Sequence, residues 1–114
     1  MSKVQFSRGL KDLVGVGKAC LGDFQLLKIT SVEELAKQDP EWLYSKLCAL
    51  SGKKHCICVK DVLYCTVAQA RSPELSYDLC QWFTWSRLRK EGKMQSTLKT
   101  ISQNNPLNNF KTVQ

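Results

Sequence analysis

A chain of 114 residues with 43% hydrophobic side chains is one domain's worth of sequence and can bury a small core. Its 17 basic residues against 10 acidic give +7, which suits a polyanionic partner, and no stretch approaches the roughly 20 apolar residues of a membrane span. The N-terminus has no long apolar block and does not read as a signal peptide, so a cytoplasmic protein is expected, with its six cysteines mostly reduced and not forming the disulfide framework of a small secreted domain.

Phe6, Leu10 and Leu13 share the spacing of one apolar helix face, which predicts a first short helix stopping at Val14-Gly15. Gly15 and Gly17 flank an apolar Val16 and allow one helix to end and another to start at once, from about Lys18 to Leu27. The amides of this turn and of the next helix's first turn would then point outward, where they suit an anion, phosphate above all. A plain turn between two packed helices needs the same glycines, so the pattern alone leaves both readings open. It is not a dinucleotide or nucleoside-triphosphate loop: no β-rich run precedes it, and neither a third glycine nor a Gly-Lys-Ser/Thr ending is present.

Ser31-Val-Glu-Glu34 has the form of a capping box and predicts a brief third helix through Ala36. Asp39-Pro40 starts a fourth, in which Leu43, Leu47 and Leu50 with Tyr44 follow helical spacing until Gly52. After the basic link Gly52-Lys-Lys-His55, the residues Val59, Val62, Leu63, Val67 and Ala70 predict one buried stripe of a long fifth helix. Ser72-Pro-Glu-Leu75 would cap a sixth carrying Leu75, Leu79 and Trp82. From Lys93 onward Gln, Ser, Thr, Asn and Lys dominate without a sustained period. The expected organisation is a helical domain over residues 1–92 and a mobile basic, polar tail over 93–114, dispensable for folding. All ten acidic residues precede Lys93, leaving the domain at +4 and the tail at +3.

His55, Cys56, Cys58 and Cys65 raise the question of zinc, whose preferred ligands are thiolate and imidazole. Cys-x-Cys is a poor spacing for it, no Cys-x-x-Cys pair follows, and Cys65 lies two helical turns from Cys58, as core packing gives. No metal or cofactor is expected, and no enzymatic activity. A thiol redox role for Cys56 and Cys58 would draw on the positive surroundings of Lys53, Lys54 and His55 at a helix start. His55, the single histidine, reads as a solvated loop residue. Trp82 is expected in the core, with Trp85 left open for stacking. Lys53, Lys54, Trp85, Arg87 and Arg89 make up a candidate auxiliary basic and aromatic surface.

Taken in order, Leu13-Val-Gly-Val-Gly17, Ile29-Thr-Ser-Val-Glu-Glu-Leu35, Asp39-Pro-Glu-Trp-Leu-Tyr44, Leu47-Cys-Ala-Leu-Ser-Gly52, Cys58-Val-Lys-Asp61, Cys65 and Trp82-Phe-Thr-Trp85 resemble a small bacterial family, the pathogenicity-locus proteins. This helix-hairpin-helix family is sometimes labelled mitomycin resistance, and the resemblance covers about residues 6 to 90. It implies an all-α fold: an N-terminal helix-hairpin-helix followed by three to four packed helices. It also implies largely sequence-independent DNA binding, single-stranded or duplex, with Gly15, Val16, Gly17 and Lys18 on a backbone phosphate. The chain departs from the family pattern at Val14, where a proline is usual, at Cys56-Ile57, where Asp-Pro is usual, and at Lys28. A glycine usually ends the second helix there, so strain or a different cap is expected. The alternative reading is a protein-interaction module that does not bind nucleic acid.

Overall fold

Local start and stop signals set the first half of the chain, which is seen in a computed structural model describing residues 8–104. A 3-10 turn at Leu10–Asp12 leads through the glycine turn into helix α1, Lys18–Leu26. The expected first helix is, within the described residues, only this single turn; Phe6 lies outside them. Helix α2, Val32–Ala36, starts where Ser31 Oγ accepts from the Glu34 amide at 3.0 Å. The reciprocal half of the capping box is displaced by one residue, since the Glu34 carboxylate accepts from the amide and hydroxyl of Thr30 at 2.8 and 2.9 Å. Helix α3, Pro40–Ser51, starts with Asp39 Oδ1 accepting from the Glu41 amide, and it buries Leu43, Tyr44 and Leu47.

Three helices end alike, each with a left-handed residue and the paired bonds of a Schellman motif. At the end of α3 this residue is Gly52, with φ +72°, and the Lys53 amide reaches back to Cys48 O. At Gly92, with φ +73°, the Lys93 amide reaches Leu88 O. At the end of α1 the position falls on Lys28, with φ +62°, where the Lys28 amide donates to Gln25 O and the Ile29 amide to Phe24 O. The strain expected at Lys28 is present: it is the one non-glycine residue with positive φ among those described. The motif survives without glycine because Phe24 and Ile29, which such an ending brings together, are both buried in the core.

Helix α4, Ile57–Arg71, is central and packs against α2, α3, α5 (Trp82–Lys90) and α6 (Met94–Asn104). The predicted single stripe is therefore incomplete, since every residue from Leu63 to Ala70 is buried. Ser72-Pro-Glu-Leu75 does not start a helix. Pro73 disfavours helical geometry at Ser72, which is extended and caps the end of α4. A 3-10 turn follows at Tyr77–Cys80, and α5 begins only at Trp82. This start turns Trp82 outward, which corrects its expected place in the core, and turns Trp85, left open for stacking, inward. Trp85 is fully buried, donates from Nε1 to Leu79 O at 2.8 Å and lies 5.9 Å from the Tyr64 ring, while Trp82 is 44% exposed.

The division at residue 92 is also corrected. Residues 94–104 form helix α6, whose Met94, Leu98 and Ile101 recur on one face and are buried. Polar bonds hold the same helix: Arg71 Nη1 donates to Ser102 Oγ at 2.9 Å and Gln95 Nε2 to Glu41 Oε2 at 3.4 Å. Glu41 also accepts from the Tyr64 hydroxyl at 2.6 Å and pairs with Lys60 at 2.9 Å. Burial pushes the Glu41 carboxyl up, but these hydrogen bonds and the Lys60 charge outweigh it and hold the group below its ordinary value. The remainder of the expected tail, 105–114, lies outside the described residues.

A chain ending at Gly92 should lose cooperative thermal melting. Three buried apolar side chains are together worth roughly 5 kcal/mol or more, comparable to the whole stability of a small domain. Retained cooperative melting, followed by circular dichroism, would show α6 to be peripheral. Lys28→Gly should raise the melting temperature by several degrees, since a left-handed residue with a Cβ costs about 1–2 kcal/mol and the added backbone freedom of glycine offsets only part of that. A lowered melting temperature would mean that the lysine stem stabilises the turn by other means.

Candidate functional site

The glycine turn is built from one buried anchor and one latch. Leu13 sits in the core, and the Val16 amide closes the turn on Leu13 O at 3.2 Å. Beside it, Gln69 of α4 grips Val14 from both sides, its Oε1 accepting from the Val14 amide and its Nε2 donating to Val14 O, both at 2.9 Å. Arg8 Nη2 adds a bond to Gln69 O at 3.1 Å. These contacts fix the turn against the most buried helix of the fold and leave its far side exposed.

Gly15 has φ +86°, so it needs to be glycine for conformational reasons. Gly17, the N-cap of α1, is extended, and its carbonyl accepts the first bond of the helix from Leu21. It provides no side-chain cap, and the first-turn amides of Lys18, Ala19 and Cys20 have no acceptor within the helix. These amides border a groove of about 400 Å³ between the turn and α4, lined by Gly15, Gly17, Lys18, Asp23, Val59 and Val62 among others. Cys20 also lines it; burial and the Asp23 charge push its thiol up to about 11, so it stays neutral and adds no negative charge. A second groove, of about 610 Å³, carries Lys11 and Lys28 along its rim beside Gln25.

Gly15, Val16, Gly17 and Lys18 thus stand together as one exposed turn, with Val16 half-buried beneath. The auxiliary surface does not assemble. Trp85 is core, and Arg89 faces inward: its Nε and Nη2 clasp Asp61 Oδ1 and Oδ2 at 2.8 and 3.0 Å, where Asp61 is wholly buried. The reason is again the start of α5 at Trp82, which sets both residues on the inner face. Lys53 and Lys54 are exposed but line a different groove, with Tyr44, Ser45 and Cys48, and Arg87 is exposed on α5. The exposed aromatics among the described residues are instead Trp42, which carries Lys46 over its ring, and Tyr77, Trp82 and Phe83. His55 is half-buried, with Nε2 2.8 Å from Ser51 Oγ and its carbonyl accepting from the Tyr44 hydroxyl, so it is not a solvated loop residue.

Sequence reasoning missed Lys11, Lys28 as a groove residue, and the latch Gln69. A glutamine inside Val67-Ala68-Gln69-Ala70 was the available signal, since a polar side chain buried in an apolar run needs a partner. Among the described residues, no group of three His, Cys, Asp or Glu side chains is placed to hold a metal ion, and no helix is long and apolar enough to cross a membrane.

The family described as Cdd1, pathogenicity locus, matches residues 4–91. No curated protein and no solved structure matches the chain.

Arg89→Ala should cost about 3 kcal/mol of stability, because it leaves the Asp61 carboxylate buried without its counter-charge. Chemical denaturation measures this directly. A change within about 0.5 kcal/mol, as for an ordinary surface residue, would return Arg89 to the surface charges.

Proposed function

The chain belongs to the pathogenicity-locus family, its match taking in the glycine turn and helices α1 to α5, and from that premise we propose that it binds DNA through backbone phosphate without reading bases. In this reading the turn is the hairpin of a helix-hairpin-helix. The amides from Gly17 to Cys20 and the Lys18 ammonium would hold one phosphate, and Lys11 and Lys28 would extend the contact along the strand.

The observation that supports this best is Gly17. Its φ of −109° is open to any residue, and a Cβ built there would meet nothing within 4 Å. Neither backbone conformation nor packing therefore calls for glycine in the free protein. Serine, threonine or aspartate would cap α1 better, at the expense of filling the space over its first-turn amides. A bare backbone at an uncapped helix start is useful when another molecule must come close. The Gln69 latch supports the same reading, since a turn held in place before binding loses little freedom on binding. Asp23 disfavours an anion deeper in the groove, which leaves the rim at Gly15 to Lys18 as the seat. A second reading, a protein-association surface, rests on the exposed Tyr77, Trp82 and Phe83.

Gly17→Ala should fold with an unchanged melting temperature yet bind DNA about tenfold or more weakly, the loss of one charge-assisted contact. Lys18→Glu should weaken binding and lower the salt slope by about 0.9 per lost phosphate contact. Fluorescence anisotropy on single-stranded and duplex oligonucleotides over a salt series measures both. Wild-type affinity in both folded variants would remove the turn from any nucleic-acid site. No binding by the wild-type chain at low salt would favour the aromatic surface as an association site.

A further inference from the structure

Cys56 and Cys58 are not accounted for by packing or by the glycine turn. Cys56 is exposed and Cys58 half-buried, at the start of α4, whereas Cys65 on the same helix is buried. Their sulfurs are 2.9 Å apart, with the Cys58 thiol donating to Cys56 Sγ, and the Cys58 amide also points to that sulfur at 3.4 Å. Cys56 is thus the N-cap of a fifteen-residue helix, a position where oxygen-bearing side chains are strongly preferred. A neutral sulfur is a weak acceptor; a thiolate there is a strong one and suits the positive end of the helix.

The two thiols are pulled in opposite directions. Hydrogen bonds from the Cys58 thiol and amide hold Cys56 below the ordinary thiol value, with Arg89 adding to this and Asp61 opposing it. Cys58 is pushed up, first by its hydrogen bond to Cys56 and then by burial. The other resolved shifts run upward: burial takes Cys65 to about 12 and Cys20 to about 11, and it raises Cys80 as well. One exposed, acidic sulfur therefore touches a second that keeps its proton, which is the division of labour between an attacking and a resolving thiol. Closing their separation to the roughly 2.05 Å of a disulfide takes less than about 1 Å of movement.

We propose that Cys56 and Cys58 form a thiol–disulfide exchange site whose substrates are disulfides of small thiols, with Cys56 attacking and Cys58 resolving. The Cys56 thiolate attacks one sulfur of the substrate; the substrate's S–S bond breaks, and one small thiol leaves as thiolate and takes a proton from water. Cys58 then gives its proton to water and attacks Cys56 Sγ, and the second small thiol leaves. The second small thiol likewise leaves as thiolate and takes a proton from water. Counting the proton that Cys56 gave up on ionising, the protein loses two electrons and two protons to form the Cys56–Cys58 disulfide, and one substrate disulfide becomes two thiols. An excess of small thiol reverses both steps. This site is independent of the DNA-binding reading.

The test treats the full chain with glutathione disulfide, blocks the remaining thiols by alkylation, and reads the tryptic peptide His55–Lys60, which contains these two cysteines and no others. The expected product is that peptide lighter by two hydrogens and free of glutathione. Cys58→Ser should trap glutathione on Cys56, and Cys56→Ser should slow the reaction of this peptide by about tenfold or more. Circular dichroism confirms that both variants are folded. In alkylation without oxidant, Cys56 should react with a midpoint pH below the ordinary thiol value. The proposal is overturned if the wild-type peptide keeps stable glutathione adducts, if Cys20, Cys48 or Cys80 reacts faster than Cys56, or if the Cys56 midpoint lies above that value.

Discussion

A helix buried through most of its length must find partners among its neighbours for the polar groups it buries, and α4 is such a helix from Asp61 onward. Asp61 is met by Arg89 of α5, Tyr64 by Glu41 of α3, Gln69 by Val14 of the glycine turn, and Thr66 by Leu63 O of α4 itself. Arg71 donates to Ala36 O and Gln38 O at the end of α2 and to Ser102 of α6. Among the described residues no buried side-chain nitrogen or oxygen lacks a partner. A buried group left without one costs about 1–3 kcal/mol. Almost every such bond joins α4 to a different element, so the polar demands of one helix orient most of the molecule around it.

Features written in adjacent residues were legible in the sequence. Ser31, Asp39-Pro40 and Gly52 act within a few residues of themselves, and the helices they bound begin and end where expected. Lys28 was visible as a misfit only against the family pattern, in which a glycine is usual at that position. What depended on distant packing was not legible. The spacing of Met94, Leu98 and Ile101 fits a helix face, but these are isolated among serine, threonine and glutamine, and only the open side of α4 makes the face worth burying. Placing Trp82 in the core followed from misplacing one helix start, and Arg89 was misread along with it. At the candidate site the glycines and Lys18 were legible. Gln69 was not, because its partner lies 55 residues away.

The folded chain spends part of its positive charge internally. Arg71 and Arg89 serve carbonyls and a carboxylate inside, Lys60 pairs with Glu41, and Lys46 lies 4.7 Å over the Trp42 ring. Lys11, Lys18 and Lys28 around the glycine turn stay exposed. The two candidate sites meet different parts of α4. Cys56 caps its start and Gln69 lies near its end, thirteen residues on, which is about 20 Å along the axis. The groove beside Gly15, Gly17 and Lys18 runs back along α4 to Val59, three residues from Cys56, so the proposed phosphate contact and the sulfur chemistry use neighbouring but separate residues. The match to the family ends at residue 91, just before α6, so part of this chain's core comes from residues beyond the matched segment.

Gln69 supplies to Val14 what a neighbouring strand would, one donor and one acceptor in a plane, and it does so from the side of a helix. A single atom makes that possible. With oxygen in place of Nε2, as in glutamate or after hydrolysis of the amide, the acceptor half of the contact would survive while the other half became two oxygens facing each other, one of them charged and buried. The turn would be released from α4 without the loss of any apolar contact. Loss of one nitrogen through slow chemical ageing would thus undo the turn's attachment while leaving the hydrophobic core in place.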